Sequence, residues 1–243
     1  MNSKEKLAVF GGQSAMPEGI ERTRWPRYND SELEELCRVL REEQIGGCDA
    51  PQILKLEEEW SQKIGTPYCC AVGSGTAALH MALWAAGIGK GDEVLVPAYT
   101  FLSGALSVLH QGAVPIFVDI QPDSYNMDPS QIEKCITPKT KAIIPVHLGG
   151  LPADMDEINT IAKKYGLVVI EDAAHAPGAI YKGKMVGNLA DASALSINAM
   201  KNLPAGEAGI FSTQHQEFFD RIDGLMFVVI LTFILVKFNL FWP

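Results

Sequence analysis

Two rhythms of apolar and polar residues divide the chain. In residues 31–44 apolar side chains recur at Leu33, Leu36, Cys37 and Leu40, a helical spacing, and Ser31 with Glu34 reads as a capping box at its start. A second helix is predicted over Pro51–Ile64. Then short apolar runs take over: YCCAV (68–72), EVLVP (93–97), PIFVD (115–119), KAIIPV (141–146), LVVIED (167–172), ASALS (192–196) and AGIFST (208–213). Helical patterns over 76–86, 103–111, Pro129–Cys135 and Met155–Tyr165 separate the first five of them. Near-continuous Val, Ile and Leu strands alternating with helices predict an α/β fold, a mainly parallel seven-stranded sheet with helices on both faces. One α/β domain is placed at 51–217, with residues 1–50 as an N-terminal segment carrying one helix, packed against that domain or against a partner.

Composition narrows the function classes. With 47% hydrophobic and 20% charged residues among 243, the chain has enough apolar material for a sizeable core. A formal charge of −9 and no Lys/Arg cluster argue against a nucleic-acid surface, so small-molecule chemistry becomes the default. Five cysteines (Cys37, Cys48, Cys69, Cys70, Cys135) include no CxxC pair and no metal-ligand spacing to a histidine, so neither a disulfide framework nor a metal site is predicted. The start, MNSKEKLAVFGG, lacks the apolar core of a secretory signal, and a cytoplasmic protein is expected.

Ligands of open α/β sheets bind where strand ends lead into helices, and the polar residues of interest follow the apolar runs. In AVGSGTAALHMAL, Gly73, Gly75 and Ala78 give one form of the dinucleotide fingerprint. That reading requires an acid at the end of the next strand, where Pro97, Ala98 and Tyr99 stand instead. What remains is a helix N-terminus suited to a phosphate, or a plain tight turn. In VVIEDAAHAPGA, Glu171 and Asp172 point to opposite faces of a strand, so only one can enter a given pocket. Asp172 and His175 could share that pocket, or serve as a cap and a solvated imidazole. In SINAMKNLPAGEAGIF, Lys201 is either a solvated loop charge or an amine held for covalent chemistry; Lys182 and Lys184, flanking Gly183, read as turn charges. No role is assigned to His80, His110, His147 or His215. A phosphate cradle, an aromatic residue, an acid, a serine and a lysine on the strand ends of one sheet are what pyridoxal phosphate requires.

The segments GSGTAAL, GDEVLVPAYTF, PIFVDI, VHLGGLPADMD, VIEDAAHAPGA and KNLPAGEAG, in this order from about Leu7 to Thr213, resemble the DegT/StrS-type aminotransferases of fold type I. The resemblance implies that Lys201 is the Schiff-base lysine, that Asp172 pairs with the pyridine nitrogen and that His175 stands near the ring hydroxyl. It further implies that Phe101 stacks on the ring and that Thr76, Ala77 and Ser196 bind the phosphate. The implied reaction moves an amino group from glutamate or glutamine to a nucleotide-linked keto sugar or a keto-cyclitol, in a homodimer. Two other functions stay open: a cofactor-binding chain without turnover, and, further off, an NAD(P)-dependent oxidoreductase.

The sequence departs from the family in two places. The pattern GEGG is GEAG here, with Ala208 for a glycine; Ala208 could begin the last strand, but a backbone needing positive φ would resist it. The family also continues into a smaller domain, whereas here the resemblance stops near Thr213. Residues 218–243 read as an apolar tail of uncertain origin: LMFVVILTFILV (225–236) falls short of the roughly 20 apolar residues of a spanning helix. A membrane is not an expected partner, although 225–242 is apolar enough to leave an anchor, a groove-filling segment or an out-of-frame product as readings. The chain is on this reading a truncated and impaired aminotransferase.

Overall fold

The computed structural model describes residues 10, 12–13, 25–42 and 50–223. Its elements run α1 (Asp30–Arg41), α2 (Pro51–Ile64), β1 (Tyr68–Val72), α3 (Gly75–Ala85), β2 (Glu93–Pro97), α4 (Ser103–His110), β3 (Val114–Val118) and α5 (Pro129–Cys135). After these come β4 (Thr140–Ile143), α6 (Met155–Tyr165), β5 (Val168–Asp172), the short strands β6 (Ile180–Tyr181) and β7 (Lys184–Met185), β8 (Ala192–Ser196), β9 (Gly209–Thr213) and α7 (Gln216–Asp223). The seven long strands form one sheet in the order β1-β9-β8-β5-β4-β2-β3. Only β9 is antiparallel to its neighbours, so β1 runs in the same direction as the other five. The seven-stranded, mainly parallel sheet of the sequence reading is therefore present. The hairpin β6–β7 was read only as a turn; its strands are too short for an apolar period to show.

The side-chain period of two fills both faces. Val94 and Val96, Ala142 and Ile144, Ile170, Ala194 and Phe211 pack on the side of α3, α4 and α7. Leu95, Ile143 and Val169 pack under α5 and α6. Cys69, Leu195 and Ile210 pack under Trp60 and Ile64 of α2. Both faces are covered, which is why the strands carry unbroken apolar runs.

Two boundaries differ from the sequence reading. The cap of α1 is Asn29, not Ser31: the Asn29 side chain accepts the Ser31 and Glu32 N–H groups, and Glu32 accepts the Asn29 N–H at 2.6 Å. No residue of α1 is buried; Leu33, Leu36 and Leu40 stand exposed. At the other end the domain runs past 217. In α7, Phe218 and Ile222 are buried in the α3 cluster, Phe219 stacks on Tyr68 at 5.2 Å, and Arg221 donates to the Ala85 carbonyl at 2.6 Å. The apolar run from Leu225 lies outside the described residues.

Candidate active site

Strands β1, β2, β5 and β8 end, and β9 begins, on one edge of the sheet, and a cavity of about 340 Å³ opens there. Ser74, Gly75 and Thr76 enter it from the β1–α3 turn, Phe101 and Ser103 from the β2–α4 connection, and Asp172 from the end of β5. Ser196, Asn198 and Lys201 enter it from the end of β8 and the loop beyond. One wall is thus built from four separate stretches of sequence, which is why no single motif revealed it.

The turn into α3 is held by close approach of backbones. A Cβ on Gly209 would lie 2.4 Å from the Ser74 carbonyl carbon and 2.6 Å from the Gly75 nitrogen, and one on Gly75 would meet the Ser196 Cβ at 2.8 Å. Only glycine lets β9, β8 and this turn meet. The Ser74 hydroxyl caps α3 by accepting the Ala77 N–H at 3.1 Å, and the Ser74 carbonyl accepts the Ala78 N–H at 3.0 Å. The N–H groups of Gly75 and Thr76 precede the first turn's bonds and lie, with Ser196, at the positive end of the helix dipole. Ala77 is not on the cavity wall, because its N–H serves the cap.

Asp172 is buried, with 4% of its surface exposed, and its Oδ1 accepts the Ala174 N–H at 3.1 Å. Burial pushes its carboxyl above the usual carboxylate range, against the pull of that N–H and of the positive potential of His175, His147 and Lys201. A protonated ring nitrogen placed against it would supply a counter-charge. His175 is half-buried and off the wall; its Nδ1 accepts the Gly149 N–H at 3.4 Å, so Nε2 carries the proton. Burial, then the Lys201 charge, hold its pKa below the ordinary histidine value, which keeps the ring neutral near pH 7. The rival lysines lie elsewhere: Lys182 pairs with Asp156 and sits over the Tyr181 ring at the β6–β7 turn, and Lys184 is on β7.

Sequence reading missed part of the site. Ser103, Asn198, Met200 and Glu207 also line the cavity, and nothing in their local pattern set them apart from loop residues. Behind Asp172 is a buried pair also passed over. His147 Nδ1 accepts the Ala153 N–H at 3.0 Å, so Nε2 carries the proton and donates it to Glu171 Oε2 at 3.1 Å. A strand-end histidine beside a strand-end glutamate was the available signal.

A glycine-packed helix start, a serine hydroxyl, a buried acid, an aromatic side chain and one lysine around a single cavity fit pyridoxal phosphate, and this fold and site define a cofactor-binding domain of the pyridoxal-phosphate aminotransferase class. The chain belongs to the DegT/DnrJ/EryC1/StrS aminotransferase family, whose family model matches residues 26–229. It is 42% identical over 197 residues to the spore coat polysaccharide biosynthesis protein SpsC of Bacillus subtilis (strain 168), covering 81% of this chain and 50% of that protein. It is 37% identical over 223 residues to a putative L-glutamine:3-amino-2,3-dideoxy-scyllo-inosose aminotransferase of Streptomyces kanamyceticus, covering 91% of this chain and 53% of that one. Among solved structures it resembles DesI in the presence of its TDP-sugar product, with a TM-score of 0.81, 34% identity, and 91% and 56% of the two chains covered. It also resembles 3-amino-5-hydroxybenzoic acid synthase, with a TM-score of 0.78, 38% identity, and 83% and 53% covered. The chain spans about half the length of the curated relatives it matches.

The sheet order disfavours the dinucleotide reading. In that fold the strand after the glycine turn lies beside the first; here, among the described residues, β1 pairs with β9 alone, and β2 lies four places away from β9.

Proposed function

We propose that this chain is the cofactor-binding part of an aminotransferase that takes an amino group from glutamate or glutamine and gives it to a keto sugar carried on a nucleotide, or to a keto-cyclitol, working as a homodimer. The observation that carries the reading is the convergence of Lys201, Asp172, Phe101, Thr76 and Ser196 on one cavity from four strand ends. Relatives named for polysaccharide assembly, a TDP-sugar product and an inosose support the acceptor class.

When bound, pyridoxal phosphate supplies an aldehyde that condenses with amines and a ring that delocalises the electrons of a broken C–H bond. The chain supplies the rest. The N–H groups at the start of α3, the Thr76 hydroxyl and the Ser196 hydroxyl hold the phosphate. Asp172 keeps a proton on the ring nitrogen by placing a carboxylate beside it in a dry site. Phe101, on the cavity wall, would supply an aromatic surface for the ring, and His175, off the wall, would act from beside the cavity as a neutral imidazole. The Lys201 amine holds the cofactor covalently. With its amine free, Lys201 would be the base and acid that moves a proton between the donor's α-carbon and the cofactor carbon.

Borohydride reduction of the cofactor-loaded chain followed by peptide mapping tests this. The label is expected on Lys201; a label on Lys182 or Lys184 with Lys201 unmodified overturns it. Addition of glutamate or glutamine should then convert the bound cofactor to its amine form, and a chain that is labelled at Lys201 yet never converts is a binder without turnover.

A further inference from the structure

Lys201 hangs from a loop held by backbone bonds and by the side chains of Asn198 and Asn202, the latter donating to the His175 carbonyl. Residues 197–208 leave β8 and return to β9, and the base of this loop is closed by backbone bonds from Ile197 N–H to the Ala208 carbonyl and from Ala205 N–H to the Ile197 carbonyl, both 2.9 Å. Inside it, Asn198 forms an Asx turn: its Oδ1 accepts the Met200 N–H at 2.9 Å while its carbonyl accepts the Lys201 N–H at 2.8 Å. The Asn198 N–H in turn donates to the Ser196 Oγ at 3.4 Å. Ser196, Asn198 and Lys201 all line the cavity. A short run of hydrogen bonds therefore leads from a hydroxyl of the phosphate cradle to the backbone of the lysine.

We propose that Asn198 is a positioning residue that couples occupancy of the phosphate cradle to the placement of Lys201; the proposal rests on the cradle reading given above. A distance of 3.4 Å is long for an N–H···O bond and leaves room to shorten. An oxyanion that accepts a hydrogen bond from the Ser196 hydroxyl pushes electron density onto Oγ and makes it a better acceptor for the Asn198 N–H, because hydrogen bonds in a chain polarise one another. The shortened bond seats Asn198, the Asx turn closes on Met200, and the Lys201 backbone becomes fixed. An anion in the cradle thus orders the amine before any covalent bond forms.

Hydrogen exchange on the full chain, with and without inorganic phosphate, tests the coupling in peptides covering 74–83 and 197–206. In the native chain phosphate should slow exchange in both segments. In Asn198→Ala the loop should exchange about fivefold faster without phosphate, the effect of one lost hydrogen bond, and phosphate should protect only 74–83. Asn198→Asp keeps the acceptor oxygen and should restore slow exchange of the phosphate-free loop. A merely structural role would speed the loop yet leave its response to phosphate intact, and that result overturns the coupling. Native protection at 74–83 with an unchanged loop overturns it as well. No protection in either segment removes the cradle reading and the proposal with it.

Discussion

Glu171 and Asp172 are consecutive carboxylates at the end of β5, both buried, and they face opposite sides of the sheet into opposite electrostatic situations. Glu171 points away from the cavity and is met by three donors: His147 Nε2–H at 3.1 Å, Gly187 N–H at 2.8 Å and Leu189 N–H at 2.6 Å. Asp172 lines the cavity, takes one backbone N–H, and has its pKa pushed up by burial. A buried carboxylate saturated by the protein's own donors ties loops together. One that the protein leaves half-answered is arranged for a ligand.

The contrast is sharpened most by Glu171→Ala. It strands three donors inside the protein and removes the tie between the strand end, the 147–153 loop and the 187–189 segment. The expected cost is about 3–5 kcal/mol in denaturant unfolding of the apo chain, the scale of leaving three buried donors unanswered. A loss below about 1 kcal/mol would show that water answers those donors and that the contrast is false. Asp172→Asn should do the reverse: no loss of folding stability near pH 7, with the donor half-reaction slowed on the order of a hundredfold, the scale of one preorganised electrostatic partner. Unchanged half-reaction rates in that variant would break the assignment.

How much of this could be read beforehand follows from what each feature depends on. The sheet was legible because most of its strands are covered on both faces and so write apolar runs; the edge strand β3 keeps its run although Val114 and Phe117 stand exposed. Lys201 and Asp172 were singled out because the proposed chemistry restricts the residue type, and both line the cavity. The α1 cap was not legible, since Asn29 with Glu32 and Ser31 with Glu34 spell the same pattern two residues apart, and only side-chain geometry decides between them. His147 was passed over because its partner is 24 residues away and the pairing exists only once β4 and β5 lie side by side. The domain's end was set too early because α7 is short and half charged, and only Phe218, Phe219 and Ile222 pack toward the core.

A smaller effect tests the same contrast by pH. The folded pKa of Asp172 lies above its unfolded value of about 3.9, so the folded state binds the proton more tightly than the unfolded one. That contribution is complete below about pH 3.9 and is lost as pH rises through the folded value. Native apo chain should therefore lose stability relative to Asp172→Asn as pH is raised from about 4 through the folded value, and then level off. A difference that grows in the other direction would mean that the protein's own donors already satisfy Asp172.

The smallest expected effect sits at the start of β9, two strands from β5, and repeats the lesson with side chains of one carbon and none. Ala208 and Gly209 are consecutive, and the family pattern has glycine at both. Among the described residues the non-glycine positions with positive φ are Tyr125 and Lys182, so Ala208 has an ordinary backbone; its carbonyl accepts the Ile197 N–H and its methyl packs beside the α2 cluster. Gly209 is the one that cannot change, because its missing Cβ is where the Ser74–Gly75 backbone passes. The departure from the family pattern therefore falls on the tolerant member of the pair. Ala208→Gly should lower stability by no more than about 1 kcal/mol, through added freedom in the unfolded chain, and leave cofactor affinity unchanged. If it instead raises the affinity severalfold, Ala208 constrains the lysine loop, and the space around residue 208 matters to the site as much as that around Gly209.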